Sequence, residues 1–242
     1  RDPEMSRGLG DVYKRQIRPP VANVTLLLVS ICPSPEPDLL LVDRLLARAK
    51  KQGMKTALIV GKCDLDGGKL LAQMQEEYRG ADCPVLGVSA RNKEGLDSVR
   101  ALMRGADCCC LAGQSGVGKS TLLNALLDLQ LETGEISEKI QRGKNTTRYA
   151  QLLIHDGIHV LDTAGFSLLE TEKGMEPEEL QELYPEFQPY IGQCRFQPCL
   201  HDREPGCAVT QAVQAGEIDG NRVERYRELL ADVRLAWKNR YQ

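Results

Sequence analysis

The stretch Gly113-Gln-Ser-Gly-Val-Gly-Lys-Ser120 decides the fold of this chain. Its glycines let the backbone curl tightly and point amide N–H groups inward at a polyphosphate. Lys119 can reach the β- and γ-phosphates of a nucleotide, and the Ser120 hydroxyl can ligate Mg²⁺. The apolar run 108–112 predicts a buried strand before the loop, and the spacing of 121–127 predicts a helix after it. A glycine-rich turn with a stray lysine would not need both neighbours, so we predict a phosphate-binding loop at a helix N-terminus. The predicted phosphate-contacting residues are Gly113, Gln114, Ser115, Gly116, Val117, Gly118, Lys119, Ser120 and Thr121.

Two segments downstream of this loop would complete a triphosphate site. Asp162-Thr-Ala-Gly165 follows a predicted strand, where an aspartate can hold Mg²⁺ through water and the Gly165 amide can meet the γ-phosphate. Such a pattern is common in ordinary turns, and its place downstream of a phosphate loop favours the functional interpretation. Thr146 and Thr147 lie in a polar stretch, where Thr147 can complete the Mg²⁺ shell; a solvated polar loop is the alternative. The predicted Mg²⁺ ligands are Ser120, Thr147 and Asp162.

Two segments upstream of the loop predict guanine recognition. Gly61-Lys-Cys-Asp64 ends a predicted strand and is similar to the Asn-Lys-x-Asp sequence with which GTPases read guanine. The aspartate accepts from the ring N1–H and the exocyclic amine, and the lysine stem packs over the base. Ser89-Ala90 ends the next strand, where a backbone amide can support guanine O6. Both lie at carboxyl ends of strands, where an open α/β sheet binds its ligand. The predicted base-binding residues are Gly61, Lys62, Cys63, Asp64, Ser89 and Ala90.

The motifs stand in an unusual order. The base-reading segments precede the phosphate loop, and the threonine and Asp-x-x-Gly segments follow it. In an ordinary GTPase the phosphate loop lies near the start of the domain. The set is therefore complete but rotated, which predicts a circularly permuted GTPase.

A compact set of metal ligands follows, with the spacing Cys194-x4-Cys199-x-His201-x5-Cys207. Three thiolates and one imidazole make a closed tetrahedral set suited to Zn²⁺. A catalytic zinc would usually keep an open position, so we predict a structural site. Buried free cysteines and a redox pair are the alternatives, and the absence of Cys-x-x-Cys disfavours the second.

The composition excludes several classes of protein. The 242 residues are 27% charged and 42% hydrophobic, which is typical of a globular protein of one or two domains. No apolar run approaches the roughly 20 residues that span a bilayer, so no membrane partner is expected. A net charge of −3 gives no global nucleic-acid footprint. The nine cysteines are not spread as a disulfide framework, which favours a reducing, cytoplasmic compartment.

Strands alternating with helices from residue 17 onward predict an α/β fold with a mainly parallel sheet covered on both faces. After about residue 168 acidic helical turns, the Cys/His cluster and a charged helix predict a small, mostly α-helical zinc-binding domain. Residues 1–16 have no clean period, and we expect a translated vector remnant or a flexible tail. The expected organisation is 1–16 tail, 17–168 permuted GTPase domain and 169–242 zinc-binding domain.

Together these motifs resemble the RsgA/YjeQ family of circularly permuted GTPases. The resemblance rests on 113–121, Thr146-Thr147, 162–166 and 194–209, and it extends from about residue 18 to the C-terminus. It implies a GTPase that acts in maturation of the small ribosomal subunit, with the nucleotide state controlling ribosome binding. It also implies an N-terminal OB-fold domain that contacts rRNA. Little precedes Pro19-Pro20, so we expect this chain to be a fragment that lacks that domain.

Three positions depart from the family pattern. Gly61 replaces an asparagine whose side chain would tie the base loop to the phosphate loop. Asn145 stands where the family usually has a histidine that assists hydrolysis; an amide can orient water but is not a base near neutral pH. Ala164 replaces a proline of the Asp-x-x-Gly segment. The catalytic set that the motifs and the resemblance imply is Lys119, Ser120, Asn145, Thr147, Asp162 and Gly165.

The predicted function is therefore GTP binding and hydrolysis by a monomer that acts on the small ribosomal subunit. A slow or inactive guanine-nucleotide-binding scaffold, with a zinc module contacting rRNA, is the alternative that Gly61 and Asn145 favour. A zinc-ribbon RNA-binding protein with a vestigial nucleotide site is a third. The C-terminal helix can meet rRNA phosphates or form an ordinary solvated face. Its basic residues are Arg222, Arg225, Arg227, Arg234, Lys238 and Arg240.

Overall fold

The computed structural model describes residues 24–128, 151–162 and 175–240. A 6-stranded sheet has the order β3-β2-β1-β4-β6-β5. Only the pairing of β5 with β6 is antiparallel among these described strands. The strands are β1 (Leu26–Ile31), β2 (Lys55–Val60), β3 (Val85–Gly87), β4 (Cys109–Ala112), β5 (Gln151–His155) and β6 (Ile158–Asp162). The mainly parallel sheet confirms the predicted α/β architecture.

Four helices cover the sheet. They are α1 (Leu39–Lys51), α2 (Lys69–Glu77), α3 (Leu96–Arg104) and α4 (Lys119–Leu127). Side chains of β1 alternate between the faces, as strand geometry requires. Leu27 and Val29 pack in a core with α1 and α2, whereas Leu26 and Leu28 pack in a second core with α3 and α4. Both faces are therefore buried, which explains why the strands read as continuous apolar runs.

Strands β5 and β6 form an antiparallel hairpin. Asp156 and Gly157 both have positive φ, 47° and 73°, which suits the tight turn between right-twisted strands.

The C-terminal residues build a third core from short helices. The predicted acidic turns are two 3₁₀ helices (Pro177–Leu183 and Pro185–Tyr190), followed by α5 (Ala208–Gln214) and α6 (Gly220–Lys238). Their core contains Cys194, Cys199 and Cys207, and it also takes Ala47 from α1. Helix α1 thus belongs to two cores. The predicted boundary at residue 168 and the tail 1–16 lie outside the described residues.

The prediction that α6 offers its arginines to rRNA or solvent is wrong for two of them. The side chains of Arg222 and Arg225 are only 3% and 11% exposed, and both pair with the fully buried Asp43 of α1. Their charges are neutralised inside the protein and cannot contact phosphates. Among the described residues, no helix is both long and apolar enough to cross a bilayer.

Candidate nucleotide site and metal centre

The predicted nucleotide-binding segments meet at one edge of the sheet. The phosphate loop follows β4, the base loop 61–66 follows β2, and Ser89 comes soon after β3. Because β1, β2, β3 and β4 are parallel, their carboxyl ends share this edge. The topology therefore brings together residues that are far apart in the chain.

The phosphate loop needs glycine where it leaves β4. Gly113 has φ of 136°, and a Cβ there would lie 2.2 Å from the Ser30 carbonyl oxygen of β1. Only glycine permits this approach without displacing the central strand. The loop then curls around Lys119, whose Nζ donates to the carbonyl oxygens of Gly113 and Gln114, both at 2.9 Å.

Helix α4 begins at Lys119 without a side-chain cap. Its N-cap is Gly118, which has no side chain that could accept from the first amides of the helix. These amides and the positive end of the helix dipole face the loop, which is the usual arrangement for holding a phosphate. The local structure therefore agrees with the role predicted for residues 113–121.

The base loop is tied to the phosphate loop through Lys62. This residue has a positive φ of 55°, and its Nζ donates to the carbonyl oxygens of Ser34 at 2.8 Å and Gly116 at 3.2 Å. The ammonium thereby bridges the loops that follow β1, β2 and β4. Gly61 has no side chain to make such a link, and the lysine provides one instead.

Asp64 is held by Ser89. The Ser89 hydroxyl donates to Asp64 Oδ1 at 2.7 Å and accepts from the Asn92 amide at 3.2 Å. Reciprocal backbone hydrogen bonds between Ser89 and Glu94 close the turn that contains Ala90. This fixes the carboxylate that would recognise guanine N1–H and the amine.

Cys63 lies within the base loop and is only half-buried. Its thiol donates to the Val60 carbonyl oxygen at 3.1 Å. Burial raises the pKa of Cys63, and the carboxylates of Asp66, Asp64 and Glu94 raise it further. The side chain is therefore a neutral thiol at physiological pH.

Only some of the predicted catalytic residues lie among those that the structure describes. Asp162 ends β6, which runs parallel to β4, so its backbone lies at the same edge of the sheet as the phosphate loop. Asn145, Thr146, Thr147 and Gly165 lie outside the described residues. Sequence reasoning missed Ser34, whose carbonyl oxygen accepts from Lys62; its place after the first predicted strand was the available signal.

The four predicted zinc ligands come together. Cys194, Cys199, His201 and Cys207 are buried, and their ligand atoms lie within 4.8 Å of one another. His201 Nδ1 is 3.6 Å from the sulfurs of Cys194 and Cys199 and 3.4 Å from that of Cys207. Sulfur and nitrogen bound tetrahedrally to Zn²⁺ at ~2.3 and ~2.0 Å would lie about 3.5 Å apart. The geometry therefore fits one zinc ion.

The surroundings of this cluster suit thiolate ligands. The amide of His201 donates to the Cys199 sulfur at 3.4 Å, and that of Ala208 donates to the Cys194 sulfur at 3.2 Å. Burial lowers the pKa of His201, which favours the neutral imidazole that ligates metals. Without a cation, burial raises the pKa of Cys199 to about 12. A metal would supply the charge that makes buried thiolates stable.

Comparisons with known proteins agree with this geometry. A family model described as RsgA GTPase matches residues 9–172. The small ribosomal subunit biogenesis GTPase RsgA of Geobacillus thermodenitrificans is 43% identical over 93% of this chain and 78% of its own length. That of Geobacillus kaustophilus is 41% identical over the same shares.

Two solved structures are also similar. The YjeQ crystal structure from Thermotoga maritima matches with a TM-score of 0.72 and 34% identity, covering 87% of this chain and 72% of that one. YloQ, described as a circularly permuted GTPase, matches with a TM-score of 0.70 and 30% identity, covering 90% of this chain and 71% of that one. The family model over residues 9–172 and the relatives more than 40% identical over 93% of the chain show that this chain belongs to the RsgA GTPase family.

Proposed function

We propose that this chain binds and hydrolyses GTP as a factor for maturation of the small ribosomal subunit. The observation that carries the proposal is the meeting of Lys119, Lys62 and the Asp64–Ser89 pair at one edge of the sheet. A triphosphate on the loop and a guanine against Asp64 would occupy neighbouring positions at this edge of the sheet. Family membership supplies the connection to the ribosome.

The chemistry would be in-line attack of water on the γ-phosphate. Lys119 and the amides of residues 113–121 would stabilise the developing charge, at positions fixed before the reaction. Ser120, Thr147 and Asp162 would hold Mg²⁺, which neutralises phosphate charge when bound. Gly165 would donate its amide to the γ-phosphate, and Asn145 would orient the attacking water.

The zinc ligands would have a structural role. Cys194, Cys199, His201 and Cys207 leave no position open for a substrate and lie inside the third core. Zinc would fix the loop 194–207 against α6. We infer a division into a permuted GTPase unit, 17–168, and a zinc-binding unit, 169–242. The zinc-binding unit would contact rRNA through residues other than Arg222 and Arg225, which are buried.

The proposed cycle couples the nucleotide to the ribosome. GTP would favour binding of a monomeric chain to the small subunit in the cytoplasm, and hydrolysis would favour release. Residues 141–170, which hold the threonine and Asp-x-x-Gly segments, would sense the γ-phosphate. A GTP analogue would then slow hydrogen exchange there and GDP would not. Equal protection by both nucleotides would contradict this switch.

A single-turnover assay tests the hydrolytic activity. We expect GTP cleavage that small ribosomal subunits accelerate, and we expect Lys119→Ala to abolish it because the phosphate loop loses its only predicted cation. Calorimetric titration with GDP, GTP and ATP on the same preparations would measure base selectivity. Tight, selective GDP binding without cleavage would favour a second function, the slow guanine-nucleotide scaffold, which Asn145 and Gly61 support. Absence of nucleotide binding would contradict both.

A further inference from the structure

Buried charges join α6 to α1 and α2. We call Asp43, Glu77, Glu186, Arg222 and Arg225 the Asp43 cluster. Arg222 pairs with Asp43 and, at 2.8 Å, with Glu186. Arg225 pairs with Asp43 at 2.6 Å and also with Glu77. No side chain of the cluster is more than 11% exposed. One carboxylate of α1 is thus shared by two arginines of α6.

Aromatic rings fix the orientation of the cluster. The Arg222 guanidinium lies between the rings of Tyr78 and Tyr184, 4.7 and 4.6 Å from their centroids. The Tyr78 hydroxyl donates to Asp43 Oδ1 at 2.7 Å. Planar guanidinium groups that are stacked and paired at once have little freedom to rotate. The angle between α6 and the sheet helices is therefore strongly specified here.

The N-terminal ends of α1 and α2 lie at the nucleotide loops. The amide of Asp38, which caps α1, donates to the side chain of Gln114 in the phosphate loop at 3.3 Å. The base loop continues into α2, where Asp66 accepts from the amides of Gly68 and Leu70 at 3.0 and 2.8 Å. Helix α2 thus runs from the base loop to the Asp43 cluster at Glu77, whereas Asp43 itself lies about one turn after the Asp38 cap of α1.

Buried ion pairs are poor sources of net stability. Desolvation cancels much of their attraction, and apolar side chains of similar volume would hold the helices at least as tightly. What such a cluster adds is one required geometry, because any other leaves a buried charge unpaired. The cluster lies between the nucleotide loops and α6, whose Tyr226 hydroxyl donates to the carbonyl oxygen of Leu200 beside the zinc ligands.

We propose that the Asp43 cluster transmits guanine-nucleotide occupancy from the base loop to α6, with Asp43 as the positioning residue. A bound base fixes the base loop, the loop fixes α2, and the cluster fixes α6. Because the signal starts at the base, GDP produces it as well as GTP. This separates it from a switch that senses the γ-phosphate. The inference goes beyond the proposed function and relies on it only for nucleotide binding.

Hydrogen exchange on the full chain with saturating GDP tests the proposal. In the unsubstituted protein we expect GDP to slow exchange in both α4, which would contact the phosphates, and α6. In Asp43→Asn, protection of α6 relative to α4 should fall by about fivefold, the lower range of allosteric coupling. Asp232→Asn is the matched control, because it removes a more exposed ion pair, Arg44–Asp232, between the same two helices. It should leave the ratio unchanged.

Tyr78→Phe provides a second test that keeps every charge. It removes the hydrogen bond from the Tyr78 hydroxyl to Asp43 and the longer one that this hydroxyl accepts from Arg225. A smaller loss of α6 protection is expected, and this variant decides the question if Asp43→Asn does not fold. The proposal is overturned if GDP leaves α6 unprotected, or if the folded variants keep the unsubstituted ratio. GDP binding without an α6 response counts only against transmission through the Asp43 cluster. Failure to bind GDP counts against the proposed function as well.

Discussion

At the scale of single residues, Lys62 links the base loop to the phosphate loop. Its backbone is left-handed, and its ammonium spans carbonyl oxygens of the loops after β1 and β4. An asparagine at position 61 would make a similar tie with its amide. In this chain the neighbouring lysine makes the tie with a charge, and an asparagine at position 61 would add a second side-chain link from the base loop to the phosphate loop.

Gly61→Asn should tighten guanine-nucleotide binding. Gly61 does not have a left-handed φ, and a Cβ there would lie 3.5 Å from the Ile31 oxygen and 4.0 Å from that of Val117, so a side chain fits. One new hydrogen bond to the phosphate loop, worth ~1 kcal/mol, would lower the GDP dissociation constant about fivefold. Calorimetry with GDP measures this. Gly61→Ala adds the carbon without the amide, and an equal gain for alanine would contradict the explanation.

Cys63 should report guanine binding through its reactivity. Because the pKa of Cys63 is raised, less of it is thiolate at any pH, and iodoacetamide should react with it slowly at pH 7. The rate of this reaction should still rise with pH beyond ~8.5, where an ordinary thiol is half ionised. GDP should slow the reaction by covering the loop. Cys83, buried with a pKa of about 11, should stay unreactive with or without GDP. A Cys63 rate indifferent to GDP would mean that the base binds elsewhere.

Arg100 acts at the scale of elements, because it completes a helix to which it does not belong. The last turn of α4 has no basic residue. Arg100 of α3 instead donates to the carbonyl oxygens of Leu126 at 2.9 Å and Ala125 at 2.7 Å, and pairs with Asp128 at 3.2 Å. It thereby satisfies orphan acceptors and complements the helix dipole. Helix α4, which follows the predicted phosphate loop, therefore takes hydrogen bonds and a positive charge at its C-terminal end from α3.

Arg100→Met should destabilise the fold while keeping the apolar stem. Loss of charge-assisted hydrogen bonds to two backbone carbonyls predicts about 2 kcal/mol in the free energy of unfolding, measured by urea denaturation. Arg104→Met is the matched control on the same helix, because its ion pair with Asp156 is exposed and should contribute much less to stability. Similar losses for the two variants would show that the carbonyl contacts contribute little.

Local patterns predicted the elements well and their charged contacts poorly. Alternating strands, helical apolar spacing and glycine-marked loops are properties of neighbouring residues, so β1 to β6 and α1 to α4 could be predicted. Arg222 and Arg225 stand among interleaved acidic residues on α6, which is also the pattern of a solvated face. Their partner Asp43 is 179 positions from Arg222, and no local spacing identifies it.

The molecule as a whole is held together by α1, which packs against the sheet on one side and the third core on the other. Zinc should support that third core. Chelation should remove one zinc per chain and lower the unfolding temperature by several degrees, since a closed zinc site contributes folding energy. Cys199→Ser should do the same, and Cys83→Ser should leave the zinc content unchanged. Elemental analysis and circular dichroism check this; full zinc retention by Cys199→Ser would contradict the ligand assignment.

The sharing of Asp43 has a consequence for the order in which the chain folds during synthesis. The segment from β1 to β3 leaves the ribosome before α6 and can begin its sheet. Asp43 then lacks its two arginine partners until α6 has been synthesised, and Arg222 follows it by 179 positions in the chain. Until then a carboxylate and the neighbouring surface of α1 stay uncovered. A chain interrupted before α6 would keep this surface of α1 exposed. Chaperones and proteases bind such surfaces, so they would recognise the incomplete chain and not one in which α6 is folded.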